Sequence, residues 1–222
     1  MGPIDAAVLV ALFAGSDEGD SSEAGGTPFR AAGVGRVPEE AGSVGPAGGT
    51  GAIGPVGGSR AKGSVGPAGG VRTILTRRSR LLSSHSGEVA FPGGKIELGE
   101  TAFQAACREA SEEVGLDCAG AGARLIGYLS PQDTYSSGLT VLPIVVALAA
   151  RPHLSAGNIE VERVFEVGLV DFLAGGVFRQ ERWLHPGTGE PVPVYFFDVA
   201  GEVVWGLTAR IIVELLDLVA AA

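Results

Sequence analysis

Apolar and polar positions divide the chain into short segments with distinct periods. Ala6 to Phe13 (AAVLVALF) is a continuous apolar run of strand length. VRTILTRRS, from Val71, reads as a second strand, and Ala121 to Leu129, Leu139 to Ala149 and Val192 to Ala200 (VPVYFFDVA) as three more. Asn158 to Leu173 reads as a loop with a short segment. Leu207 to Val219 has apolar residues at 207, 211, 212, 215, 216 and 219, which is helical spacing, and Thr208 is its expected cap. Thr101 to Val114 (TAFQAACREASEEV) is the best-marked helix. Thr101 and Gln104 make a capping box, Gly115 supplies a left-handed stop, and Leu116 follows as the apolar contact. Its apolar stripe is Phe103, Ala106, Cys107, Ala110 and Val114.

Between the first two strands the composition changes. From Gly42 to Val71 glycine recurs at every third position with one break, at Arg60, and the octet GSVGPAGG occurs twice. Strict G-X-Y is the collagen pattern. Ten such triplets at ~3.1 Å per residue would make a stalk of roughly 90 Å. That stalk would have to trimerise and accept an arginine at its axis, and only three of the ten triplets carry proline. A flexible, solvated low-complexity insert over about 14–70 is the favoured expectation, because it has too few large apolar groups to offset its ordering entropy.

The 222 residues suffice for one good-sized core. A net charge of −9 argues against non-specific binding to nucleic acid or to an anionic membrane. It leaves room for a small anionic substrate held by a metal and a few local arginines. The first apolar run is short, follows no positive charge and adjoins Asp5, so it reads as a buried strand, not a signal peptide or membrane span. No other run reaches membrane length, and the C-terminal LVAAA is not a peroxisomal address. The expected location is cytoplasmic. Cys107 and Cys118 are too few for a disulfide framework and fit no zinc spacing, so they read as reduced thiols.

The chemistry concentrates in REASEEVG, Arg108 to Gly115. Glu109 lies one turn from both Glu112 and Glu113. Like charges at that spacing repel, and they stand toward the helix C-terminus, where the macrodipole disfavours negative charge. Arg108 can neutralise only part of the cluster. A divalent metal is the natural partner, and hard oxygen ligands select Mg²⁺ or Mn²⁺. The preceding loop, FPGGKIELGE, offers Pro92, Gly93 and Gly94 for close approach of backbone to a ligand.

Gly94, five residues, Glu100, seven residues, then Arg108-Glu109-Ala110-Ser111-Glu112-Glu113-Val114-Gly115-Leu116 resembles a complete Nudix box, with every fixed position filled. The resemblance implies an α/β Nudix fold, an α/β/α sandwich around a mixed sheet, and hydrolysis of a nucleoside diphosphate linked to another group. It implies Glu109, Glu112 and Glu113 as metal ligands with the Gly93 carbonyl. Arg108 would orient the glutamates and Glu100 would support the loop. The general base, or a further ligand, would come from Glu160 or Glu162, with Glu160 favoured. Upstream, LTRRSRLLSSHSGEVAFPGG resembles the signature of the coenzyme A pyrophosphatase branch, with further echoes at Pro143, Glu160-Val161 and VVWGLTARII. That implies cleavage of CoA and its thioesters to 3′,5′-ADP and (acyl-)4′-phosphopantetheine. Arg77, Arg78, Ser79 and His85 would contact substrate, since the arginine fork suits phosphate. His153 and His185 read as surface or loop residues and Trp205 as core.

The insert departs from the family pattern, as does Gly168, where this branch tends to have proline. The whole chain, 1–222, is then expected to be a single domain interrupted by the insert. Two alternatives stand beside CoA cleavage. One is a Nudix hydrolase of another substrate, such as ADP-ribose or a dinucleotide. The other is a catalytically silent Nudix binding module, against which the retained Glu109, Glu112 and Glu113 speak. The sequence specifies no oligomeric state.

Overall fold

A computed structural model describes residues 3–15, 70–81, 85–135 and 137–221. Strands β1 (Ala6–Ala14), β2 (Val71–Arg78), β3 (Val89–Ala90) and β4 (Gly93–Lys95) precede helix α1 (Ala102–Val114). Strands β5 (Arg124–Tyr128), β6 (Gln132–Asp133), β7 (Thr140–Ala147) and β8 (Val161–Gly168) follow, then a 3₁₀ turn over Leu169–Leu173. Strands β9 (Phe178–Leu184), β10 (Pro191–Val199) and β11 (Glu202–Trp205) lead into helix α2 (Gly206–Ala220).

β1 runs through the middle of the main sheet, parallel to β7 and antiparallel to β2, so the sheet is mixed. Its alternation feeds two layers. Ala7, Leu9, Ala11 and Phe13 pack with Ala106, Ala110 and Val114 of α1, whereas Val10 and Leu12 pack with Ile211, Ile212 and Leu215 of α2. Burial on both faces is why the run is apolar without a break. The result is the expected α/β/α sandwich. A second sheet, ordered β11-β10-β9, joins the α2 layer through Phe197, Val199 and Val204. Each large side chain so buried, Phe13 or Ile211 for instance, contributes about 1.5–3 kcal/mol.

The arms that bracket the insert meet. Ala14 pairs with Val71, and the Gly15 N–H donates to the Gly70 carbonyl at 2.8 Å. The glycine triplets themselves lie outside the described residues.

α1 forms as its local signals predict. The Gln104 N–H donates to Thr101 Oγ1 at 3.2 Å, and the Thr101 N–H donates back to Gln104 Oε1 at 2.8 Å. Gly115 ends the helix at φ +69°. The buried stripe is Ala105, Ala106, Ala110, Glu113 and Val114. Phe103 and Cys107 are only half-buried, and a glutamate joins the stripe.

Four expectations change. The strand expected from Ala121 begins at Arg124, because Asp117 Oδ1 accepts the N–H groups of Ala119 and Gly120 and holds a turn there. Asn158 to Leu173 contains a full eight-residue strand, β8, which covers β2. Thr208 does not cap α2: its buried hydroxyl donates to the Val89 carbonyl at 3.0 Å and ties the helix to β3. Trp205 is half-buried, stacked on Phe196 at 6.2 Å between ring centroids and tilted against Trp183 at 5.8 Å. The prolines of β10 are tolerated because Pro191 and Pro193 pair only with β9, while β11 pairs with Phe196 to Val199.

Candidate functional site

The backbone of the PGG loop lies against the centre of the sheet. Gly93 pairs with Val8 of β1, at φ +158°. A Cβ there would stand 2.6 Å from Val8 Cα, and one on Gly94 would overlap the Glu109 carboxylate. Gly93 therefore lets strand β4 lie against β1, and Gly94 lets the acidic face of α1 close on β4.

Glu113 sits at the middle of this contact. It is 6% exposed and accepts the Gly93 N–H at 3.1 Å. Burial pushes its carboxyl up to about 7, with the negative charges of Glu109 and Glu160 adding to the rise. The Gly93 N–H and the Arg78 guanidinium oppose it. Arg108 organises the outer side of the cluster. Its Nε and Nη2 grip Glu100 at 2.8 and 3.1 Å, and its Nη1 lies 3.0 Å from Glu109 and 3.5 Å from Glu112. A further bond from Nη2 reaches the Lys95 carbonyl at 3.1 Å. Arg108 holds the Glu100 carboxyl below the usual carboxylate range, helped by the Glu97 N–H. Glu112 is the exposed member.

Glu160 is brought to the cluster from outside α1. The loop before it hangs on the helix end, where the Ser155 N–H donates to the Val114 carbonyl at 3.1 Å and the Gly157 N–H to the Glu113 carbonyl at 2.9 Å. The Ser79 N–H donates to the Glu160 carbonyl at 2.7 Å. Arg78 then lies 3.1 Å from Glu160 and 3.9 Å from Glu113. Glu162 turns away and pairs with Arg77 at 2.9 Å.

The four residues expected to contact substrate thus have distinct settings. Arg77 is committed to Glu202 at 2.8 Å as well as to Glu162. Arg78 enters the acidic cluster. Ser79 is buried, and its Oγ accepts the Leu81 N–H at 3.3 Å. His85, at φ +55°, pairs with Glu88 at 2.8 Å. Glu202, which also takes Arg163 at 2.6 Å, carried no sequence signal, because its partners lie 39 and 125 residues away.

As the side chains stand, no group of three or more His, Cys, Asp or Glu among the described residues is arranged to hold a metal ion. Arg78 and Arg108 take the carboxylate contacts instead. The donor set nevertheless fits a hard divalent cation. It is all oxygen, and it includes a buried carboxylate that its acidic neighbours destabilise. Two open cavities, of about 520 and 540 Å³, are lined around Tyr195 and Arg210 and around Cys107 and Cys118; neither is lined by Glu113, Glu160 or Arg78. Both cysteines are free. Among the described residues no helix is long and apolar enough to cross a membrane.

Comparison with known proteins points to one family. The family model described as NUDIX domain matches residues 66–155. The chain is 37% identical over 143 residues to "Uncharacterized Nudix hydrolase NudL" of Klebsiella pneumoniae, covering 64% of this chain and 72% of that one. It is 38% identical over 144 residues to the protein of the same description from Photorhabdus laumondii, covering 64% and 74%. "Nudix hydrolase 22, chloroplastic" of Arabidopsis thaliana is 38% identical over 155 residues, covering 66% of this chain and 49% of that one. Among solved structures, the Nudix hydrolase RenU of M. smegmatis superposes with a TM-score of 0.52 at 15% identity, over 98% of this chain and 86% of that one. At that identity the likeness carries the fold alone.

Proposed function

This chain belongs to the Nudix hydrolase family, and from that premise we propose that its substrate is coenzyme A or a CoA thioester, cleaved to 3′,5′-ADP and (acyl-)4′-phosphopantetheine. It is a Nudix pyrophosphohydrolase, acting on a nucleoside diphosphate derivative. The finer assignment rests on one observation: Arg78 and Ser79, from the segment that resembles the CoA-branch signature, lie against Glu113 and Glu160 of the acidic cluster. We take residues 1–222 as one domain interrupted at about 14–70.

Glu109, Glu112 and Glu113, with the Gly93 carbonyl, would hold Mg²⁺ or Mn²⁺. When bound, such an ion neutralises pyrophosphate charge and lowers the pKa of water. Arg108, anchored on Glu100, would orient Glu109 by donating to it and Glu112 by an ion pair at 3.5 Å. Glu160, half-exposed at the edge of the cluster, would take the proton of the attacking water. Arg78, beside Glu113 and Glu160, would bring positive charge to the diphosphate, whereas Arg77 is already paired with Glu162 and Glu202.

The test is product analysis after incubation with CoA, ADP-ribose and NADH in Mg²⁺ or Mn²⁺. Metal-dependent release of 3′,5′-ADP from CoA, faster than cleavage of the other two, is expected. Preferential cleavage of ADP-ribose or NADH would keep the pyrophosphohydrolase and discard the CoA assignment.

A further inference from the structure

Arg78 reaches the acidic cluster through an irregularity in the sheet. β2 pairs with β8 as Thr76↔Val164 and Arg77↔Arg163, then slips to Arg78↔Val161. Glu162 is left as the extra residue on β8, which is a β-bulge. A bulge bends its strand and re-aims side chains, and bulges recur beside active sites. Here consecutive arginines serve separate carboxylates: Arg77 binds Glu162 and Glu202, while Arg78 binds Glu160 and approaches Glu113.

The environment of Arg78 is that of a counter-ion held in place. Its side chain is 27% exposed, between Glu113 at 7% and Glu160 at 50%. Its buried Nε makes no hydrogen bond to the protein, so its ion pairs are not part of a fully satisfied strap. The other guanidinium at the cluster, Arg108, is differently built: it is gripped by both oxygens of Glu100 and bonded to the Lys95 carbonyl. Arg108 is anchored from outside the cluster, whereas the ion-pair partners of Arg78 are Glu160 and Glu113, the groups a metal would need or adjoin. A guanidinium and a divalent cation repel, and they cannot share these oxygens at close range.

We propose that Arg78 is the internal counter-ion of the metal-free site, neutralising Glu113 and Glu160, and that an arriving divalent cation displaces it. The inference rests on the reading of Glu109, Glu112 and Glu113 as metal ligands. It makes Arg78 a positioning residue: it keeps the cluster assembled before loading, and metal affinity is weakened by the ion pairs that must break.

Mn²⁺ titration of the full chain by calorimetry, for wild type and Arg78→Met, is the test. Wild type should bind Mn²⁺, and Arg78→Met should bind it about two- to fivefold more tightly, the range expected from losing a partly exposed ion pair. Equal or weaker binding by the variant would overturn the inference while leaving the metal reading intact. Absence of Mn²⁺ binding by wild type would overturn the metal reading and the inference with it. Crystals of wild type with and without Mn²⁺ make the outcome independent of how the variant folds. The Arg78–Glu113 separation should open well beyond its present 3.9 Å when Mn²⁺ is bound, and a guanidinium still at that distance would refute displacement.

Discussion

Glu113→Gln should stabilise the metal-free protein above neutral pH, although it removes a residue of the candidate site. The wild-type carboxyl is buried and pushed from 4.5 up to about 7. Between those values the folded chain keeps a proton that the unfolded chain has released. Unfolding free energy therefore falls as pH rises through that window and levels off above it. At about 1.36 kcal/mol per pH unit, the penalty approaches ~3 kcal/mol near pH 8. Glutamine has no proton to lose, and its carbonyl can still accept the Gly93 N–H that lies 3.1 Å from Glu113. Urea unfolding in EDTA, from pH 4.5 to 8.5, reads the difference directly. The two proteins should be nearly equally stable at the acid end, and the variant should be more stable by a few kcal/mol at the alkaline end. Excess Mg²⁺ or Mn²⁺ at pH 8 should narrow or reverse the gap if Glu113 is the ligand proposed above, because a carboxylate binds a hard cation more tightly than an amide does. A difference that does not change with pH, or a variant weaker than wild type at pH 8 in EDTA, would refute the electrostatic reading of Glu113.

Packing and local structure give three more expectations. Ala110, fully buried between α1 and β1, has no room for extra methylenes, so Ala110→Leu should cost about 1–3 kcal/mol in thermal or urea melts. Thr101→Ala removes the hydroxyl that accepts the Gln104 N–H at the start of α1, though not the backbone N–H that donates to Gln104 Oε1, and should cost about 1 kcal/mol in the same assay. Replacing residues 16–69 by a short turn between Gly15 and Gly70, which are already hydrogen-bonded, should preserve circular dichroism and turnover. A shorter loop closes at a lower entropic cost, by roughly 0.6 kcal/mol per halving, so the melting temperature should not fall.

What could be read from the sequence was what neighbouring residues encode. α1 carries its cap, its stop and its stripe within sixteen residues, Thr101 to Leu116, and helical geometry alone places Glu109 beside Glu112 and Glu113. β1 and β7 are buried on both faces, so length and apolarity sufficed. β8 escaped because the extra residue, Glu162, interrupts its alternation. β9 (FRQERWL) is exposed or half-exposed along its whole length, so it has no buried face for a pattern to report. The role of Thr208 depends on Val89, 119 residues away. The commitment of Arg77 to Glu202 and the approach of Arg78 to Glu113 are likewise products of the assembled sheet. Short-range spacing announced the acidic cluster, whereas the cations around it were set by topology.

Cleavage of CoA by this acidic cluster is the central claim. Release of 3′,5′-ADP from CoA should be followed for wild type and Glu113→Gln, each with Mn²⁺ and with EDTA. Wild type with Mn²⁺ should turn over, EDTA should abolish the reaction, and the variant should be slower by about 10²-fold or more, as when a transition-state charge contact is lost. Equal rates for wild type and Glu113→Gln, or undiminished cleavage in EDTA, would contradict it.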